Sequence, residues 1–385
     1  MRSLRLTALC FVALLFGLSA SGANGTAHVV TQRVSTHVDV ARLISPTLGY
    51  AVVYRTVEQG YTSRTRGGLF LFSRGRWTRS TPRGLAGIDD VSFADSKNGW
   101  IATFNCARAA VRIYRTSNGG QSWRDLGIVG YHSCSAGGTT FLSFVDRKHG
   151  WAEPISPTGP GGSFFRTVDG GRTWKGLGEP LCLAPIAFVS PSVGWMGRCN
   201  ARVYRLSHGG RRWTRVRIRV PAPAHTHFFD IPRFFGRRGV LAAALGRTAP
   251  NPELTQVIPR SVAFMVSGNG GHSWSMRSLR PVARCPFNTW TDEMQPATAE
   301  ASSRVWWIVS GRRQKQVQIT TDAGRRWRTV TARGLPGRAC SVLEVSAASA
   351  RMAWATVALN NRSWWLFQTL DGGHTWHRAT VFGRG

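Results

Sequence analysis

Along most of this chain, polar and apolar residues alternate in short runs punctuated by glycine-rich turns. Residues 90–127 show the pattern most clearly. Asp90-Val91-Ser92-Phe93 alternates as a strand does, Ser96 to Gly99 is a turn, and Trp100 to Thr103 reads as a second strand. Val111 to Thr116 alternates again, Asn118-Gly119-Gly120 signals a hairpin, and Ser122-Trp123-Arg124 opens a fourth strand. Four short strands with tight connections predict one antiparallel meander.

The same meander recurs. Its third-to-fourth strand turn is written Thr167-Val168-Asp169-Gly170-Gly171-Arg172-Thr173-Trp174, with relatives ending at Trp123, Trp213, Trp274, Trp327 and Trp376 and a worn copy ending at Trp77. The closing tryptophans are 39 to 61 residues apart, a period that marks one supersecondary unit repeated in a ring or array. A second signal gives the same count. Gly49-Tyr50, Gly99-Trp100, Gly150-Trp151, Gly194-Trp195, Gly239-Val240, Trp306-Trp307 and Trp354 each open a second strand.

Seven such units predict an all-β fold, a seven-bladed β-propeller of four-stranded antiparallel blades, because ring closure removes exposed sheet edges. The expected blades span about 38–80, 88–127, 139–178, 184–219, 227–280, 297–332 and 341–381, within one domain over 28–385. Residues 28–37 are a candidate extra strand at ring closure.

The turn residues have a mechanical reading. Glycines supply positive φ, and an Asp or Asn accepts hydrogen bonds from nearby backbone N–H groups. Asp169, Asp322 and Asp371 fit this role, Asn118 and Asn269 imitate it, and His208 is a poorer substitute. The closing tryptophans are expected to bury their rings against the next blade.

The turn resembles the Asp-box, or BNR, repeat of sialidase-like propellers. With Tyr114-Arg115-Thr116, Phe165-Arg166-Thr167 and Tyr204-Arg205 before the turn, the wider pattern is similar to the photosystem II assembly/stability factor family and its bacterial relatives. That resemblance covers nearly the whole chain after residue 23. It implies a binding or assembly scaffold without a catalytic centre. The rival implied by the same superfamily is a sialidase-like glycoside hydrolase, which needs an arginine trio, a tyrosine–glutamate pair and a further acid at the centre of the ring. The nearest string to the sialidase Arg-Ile-Pro signature is Asp230-Ile231-Pro232-Arg233, in the wrong order and in the fifth unit.

The start of the chain adds an address. Arg2 and Arg5, the apolar run Leu6 to Leu18 and the small residues Ser21-Gly22-Ala23 read as a secretory signal over 1–23, so a secreted, periplasmic or cell-envelope location is expected, with no later membrane span. Six cysteines follow. Their places before first strands or after second strands gather them on one face, and neighbour logic predicts Cys106–Cys134, Cys182–Cys199 and Cys285–Cys340. The same face carries the insertions Pro154 to Ser163 and Arg247 to Ser261, which are expected to lack regular structure. Binding is expected there, by a monomer.

Charge raises a question of partners. Lysine plus arginine is 50 against 18 acids, a net charge of +32. A protein or anionic glycan partner is expected. Arg211, Arg212, Arg215, Arg217 and Arg219 form the densest basic run, without the aromatic interleaving that base stacking needs, so no nucleic acid is expected. Acids placed near inner strands or their connectors are Asp90, Asp146, Asp292, Glu293 and Glu344, and none forms a recognisable pair for glycoside hydrolysis. His225-Thr226-His227 lacks a third ligand nearby. No catalytic residue, metal site or cofactor is predicted.

Overall fold

The computed structural model describes residues 33–381 apart from 60–61, 84, 86, 106–108, 132–138, 156–162, 183, 200, 222–224, 249–256, 283–296, 313, 337–341 and 361–362. Seven antiparallel sheets follow one another along the chain, each built from consecutive strands. Blade 1 is Arg33–Ser45, Leu48–Gln59, Thr62–Ser73 and Arg76–Arg79, and blade 2 is Asp90–Phe93, Gly99–Asn105, Ala110–Thr116 and Arg124–Tyr131. Blades 3, 4, 6 and 7 repeat this meander, starting at Thr139, Ile186, Ala297 and Val342. Blade 5 departs from it slightly. Its first strand is split into His225–Phe229 and Arg233–Phe235, both paired with Arg238–Thr248. Pro232 lies in the gap, where the missing N–H costs no ladder bond.

Seven hydrophobic cores hold the ring, and each joins two consecutive blades. The last core closes the circle: Met352, Trp354 and Leu366 of blade 7 pack with Val38, Ala41 and Phe72 of blade 1. Among the described residues closure uses no strand exchange, and residues 28–32 of the candidate extra strand lie outside them. Residues 33–37 prolong the first strand of blade 1, pairing with residues 54–58, instead of joining blade 7.

The aromatic residues divide the work differently from the sequence expectation. The closing tryptophans 77, 123, 174, 213, 274, 327 and 376 pack toward the preceding blade, not the next. All but Trp376 remain half-buried. The side toward the next blade is taken by second-strand tryptophans such as Trp100, Trp151 and Trp195, which are fully buried. Gly150 shows why glycine precedes them. Phe144, its cross-strand partner, folds its ring over the glycine, leaving no room for a Cβ.

The innermost strands face a channel and have one unpaired edge each. Side chains of the preceding blade satisfy several of these edge amides. Ser92 Oγ accepts from the Phe144 N–H at 3.0 Å, Ser143 Oγ from the Phe188 N–H at 2.8 Å, and Ser346 Oγ from the Leu43 N–H at 2.9 Å.

The two insertions are more regular than expected. Pro154 and Ile155 end the strand Gly150–Ile155, and Arg247 to Thr248 pair with Val257 to Ile258. Pro259 sits opposite Gly246 at a register shift, where a proline is tolerated. Residues 156–162 and 249–256 lie outside the described residues.

Candidate functional site

The repeated turn is a hydrogen-bonded knot. In blade 3, Thr167 Oγ1 donates to Asp169 Oδ1 at 2.7 Å and accepts from the Gly171 N–H at 2.9 Å. The same carboxylate oxygen accepts from the N–H groups of Arg172 and Thr173, both at 3.0 Å, and Thr173 Oγ1 donates to Oδ2 at 2.6 Å. Slight burial opposes ionisation, but the bonds from Thr173, Thr167 and Arg172 outweigh it and hold the Asp169 carboxyl at about 2. Asp371 is held at about 2 in the same way by Thr375 and Thr369, against a similar small burial effect. The Arg326 N–H is the main reason Asp322 lies below its ordinary value.

Asn118 and Asn269 reproduce the knot with an amide: each Oδ1 accepts the N–H four residues on at 3.0 Å, and each Nδ2 donates to that serine's hydroxyl at 2.9 Å. His208 does not. It adopts φ 54° in a short 3-10 turn, and its Nδ1 lies 3.2 Å from Ser207 Oγ. In every blade the turn's backbone is also tied to the first-to-second strand turn, as in Gly119 N–H to Lys97 O at 2.8 Å and Gly372 N–H to Arg351 O at 2.9 Å. These acids hold backbone in place.

The channel brings together a second set of charged groups. Arg42 of blade 1 forms an ion pair with Glu344 of blade 7. Arg233 of blade 5 stands 4.0 Å from Glu300 of blade 6. Burial raises Glu300 to about 7, with Arg233 opposing and Asp230 adding to the shift. Asp90 Oδ1 accepts its neighbour Val91 N–H at 2.8 Å, and Oδ2 accepts the Leu142 N–H of blade 3 at 2.9 Å. Asp89 keeps partial exposure, but its Oδ2 is buried. Burial raises that carboxyl to about 7, the Thr140 hydroxyl opposes the shift, and Asp90 and Asp39 add to it. Two tyrosines share this region. Tyr50 OH donates to Val91 O and Tyr54 OH accepts from the Ile88 N–H, each at 2.7 Å.

Glu153 is a further unexpected acid. It lies within the second strand of blade 3, is 0% exposed, and neither carboxylate oxygen has a hydrogen-bond partner.

Of the acids singled out from sequence, Asp90 and Glu344 reach the channel. Asp146 lies instead in the first-to-second strand turn of blade 3, where it accepts N–H groups from Lys148 and His149. Asp292 and Glu293 lie outside the described residues, as do Cys106, Cys134, Cys285 and Cys340 and the side chains of His225 and His227. Cys182 and Cys199 are joined by a disulfide. Glu153, Glu300, Asp89, Arg42 and Tyr54 were not singled out, and Arg233 and Tyr50 were named only for a signature string and a strand start. Strand alternation carried a signal for some of them, since Arg42 and Glu344 both sit on first strands. The predicted ring makes blades 1 and 7 neighbours, but nothing in one sequence matches residue 42 to residue 344.

No group of three or more metal-ligating side chains converges among the described residues, and no helix there is long and apolar enough to cross a membrane.

No family model matches the chain, and no curated protein matches it. Solved structures do. An oligogalacturonate lyase in complex with manganese is similar over 89% of this chain and 97% of its own, at 8% identity and a TM-score of 0.52. Another oligogalacturonate lyase, from Vibrio parahaemolyticus, is similar over 88% and 97%, at 5% identity and a TM-score of 0.50. YCF48 bound to a D1 peptide matches 77% of this chain and 83% of its own, at 18% identity and a TM-score of 0.46. The likeness to the lyases is one of fold, a propeller.

Proposed function

We propose that this chain is an exported, non-enzymatic propeller that serves as a binding or assembly scaffold for a protein partner. The observation that carries this reading is the commitment of channel carboxylates to structural partners. Asp90 holds a blade 3 amide, Glu344 holds Arg42 across the ring seam, and Glu300 is buried beside Arg233. A glycosidase needs an acid and a second carboxylate both open to substrate.

The binding surface in this reading is the face where second strands end. Two hairpins rise there. Leu48–Gln59 with Thr62–Ser73 and Arg238–Thr248 with Val257–Ser267 run 11 or 12 residues per strand, against 4 to 7 for the corresponding strands of blades 2, 3, 4 and 6. The Cys182–Cys199 disulfide ties the end of a second strand to the segment before the first strand of the same blade, on the same side. It also fits the oxidising compartment to which the N-terminal signal would deliver the chain. A photo-crosslinker at position 64, on the blade 1 hairpin, should capture a defined protein in the cell envelope. The same crosslinker at position 211, on the opposite face, should not capture it. Equal capture at both positions would remove the support.

A glycoside hydrolase of sialidase type is the second reading, favoured by one observation: Glu300 and Asp89 are both raised to about 7, a value that suits a general acid. Hydrolysis of fluorogenic sialosides, lost in Glu300→Gln, would make it the better one.

A further inference from the structure

The meander topology puts all first-to-second and third-to-fourth strand turns on one end of the ring, opposite the raised hairpins. Every blade places an exposed cation there: Arg74, Lys97, Arg172, Arg211, Arg237, Arg325 and Arg351 in blades 1 to 7. In these turns cations outnumber acids in five blades and equal them in blades 2 and 7. The acids are each engaged by the backbone of their own turn. Asp95 and Asp146 accept amides of their own turns, and Asp169, Asp322 and Asp371 form the knots already described. The seven cations make no ion pair among the described residues. Charge also crowds across blades: Arg115 is held below its ordinary value, first by burial and then by neighbouring Arg172 and Arg147.

Three features of this end point to one kind of partner. The turns are short and each blade's two turns are tied by the same backbone bond, so the seven pairs together make up one disc-shaped end of the ring. The positive charge is spread around that disc in two dimensions, not along a stripe or groove. Between the cations stand apolar tips: Val168 is 55% exposed, Leu370 60% and Val189 43%. A linear polyanion meets a disc along a line and gives apolar tips nothing to enter. The tryptophans of these turns are packed between blades, so none is presented for base stacking. A bilayer with anionic headgroups meets all the tips at once, attracts basic side chains within a Debye length, and accepts apolar side chains into its interface.

We infer that the turn end of the propeller is a docking surface for an anionic lipid bilayer, held by the cation ring and by shallow insertion of Val168, Leu370 and Val189. It is independent of the scaffold reading, which concerns the opposite end.

The test is co-sedimentation of the purified protein with vesicles of phosphatidylcholine alone or with three parts in ten phosphatidylglycerol, at physiological salt. Binding is expected only to the anionic vesicles. The triple variant Arg172→Glu, Arg325→Glu, Arg351→Glu should lower partitioning by about 100-fold or more, since each basic residue near such a surface contributes roughly fivefold. Arg215→Glu, Arg217→Glu, Arg219→Glu removes the same charge from the outer rim of blade 4 and should cost less than about tenfold. Val168→Ser with Leu370→Ser should weaken vesicle binding while leaving retention on heparin unchanged. Equal losses from both triple variants would reduce the effect to net charge and overturn the inference. So would failure to bind anionic vesicles, or vesicle binding indifferent to the two apolar replacements. Circular dichroism of each variant establishes that it is folded.

Discussion

Trp100 of blade 2 lies flat on Phe144 of blade 3, with ring centroids 3.8 Å apart and planes within 1°, while its Nε1 donates to the carbonyl of Gly170 at 2.9 Å. One side chain thus fixes the first strand and the turn of the neighbouring blade together. Trp151 repeats the arrangement on Phe188 and Gly209 of blade 4. Neither blade could bury these rings alone, so the stability of the ring resides in its blade interfaces.

The stack leaves Phe144 pinned between Trp100 and the bare backbone of Gly150. A methyl group at position 150 would overlap the Phe144 ring, which has no space to retreat. Gly150→Ala should lower the unfolding free energy by about 1–3 kcal/mol, as overpacking does. Gly176→Ala is the matched control, because its added carbon meets only Phe165, at 3.9 Å, and should be neutral or slightly stabilising. Urea denaturation of both variants checks the prediction, and equal midpoints would contradict it.

The turn acids should behave as struts. Asp169→Ala strands the N–H groups of Arg172 and Thr173 and should cost about 1–2 kcal/mol. Asp169→Asn should cost little, because Asn118 and Asn269 already form the knot with an amide. The pH dependence separates the two chemistries. The folded Asp169 carboxyl sits at about 2, below its ordinary 3.8, so its stabilisation is complete above pH 3.8 and is lost as the pH falls through 2. The Asn variant should lack that part of the acid transition in denaturation curves between pH 4 and 2.

The seven-fold ring was legible because two signals, the knot and the glycine–aromatic second strand, repeat independently at the same period. Direction was not legible. Whether Trp174 faces blade 2 or blade 4 depends on the hand of the meander within the ring, and no residue near Trp174 encodes that. The channel was hidden for a related reason. Arg42 and Glu344 are first-strand residues from opposite ends of the chain, and although ring closure brings their blades together, no local signal matches one side chain to the other. Glu153 was hidden because an isolated acid in a strand reads as solvent-facing, whereas Gly150–Ile155 is buried along its whole length.

Blade 6 carries a local flaw. Ala323 occupies the position that is glycine in blades 2, 3, 4, 5 and 7 and adopts φ 61°. Its N–H still bonds to Arg304 O at 2.9 Å, so the turn keeps its geometry against the preference of an L-residue. Ala323→Gly should therefore stabilise the protein by about 1 kcal/mol, even though glycine gains freedom in the unfolded chain. A rise in the urea midpoint with an unchanged slope is the expected result, and destabilisation would mean that the turn is not strained.

Glu153 should make the protein sensitive to alkali. Burial alone raises its carboxyl well above the ordinary 4.5. The unfolded chain therefore releases the proton at a pH where the folded chain still holds it, so stability is highest below 4.5 and falls as the pH rises toward the folded value. Glu153→Gln removes that proton exchange without changing the shape of the side chain. The variant and the parent should have similar urea midpoints at pH 4, and the variant should be the more stable at pH 8. Glu300→Gln should show the same trend between 4.5 and 7 with a smaller gain, because it also gives up the attraction of Arg233. If the midpoints of Glu153→Gln and the parent ran parallel from pH 4 to 8, the carboxyl of Glu153 would have to be solvated or paired in the folded state.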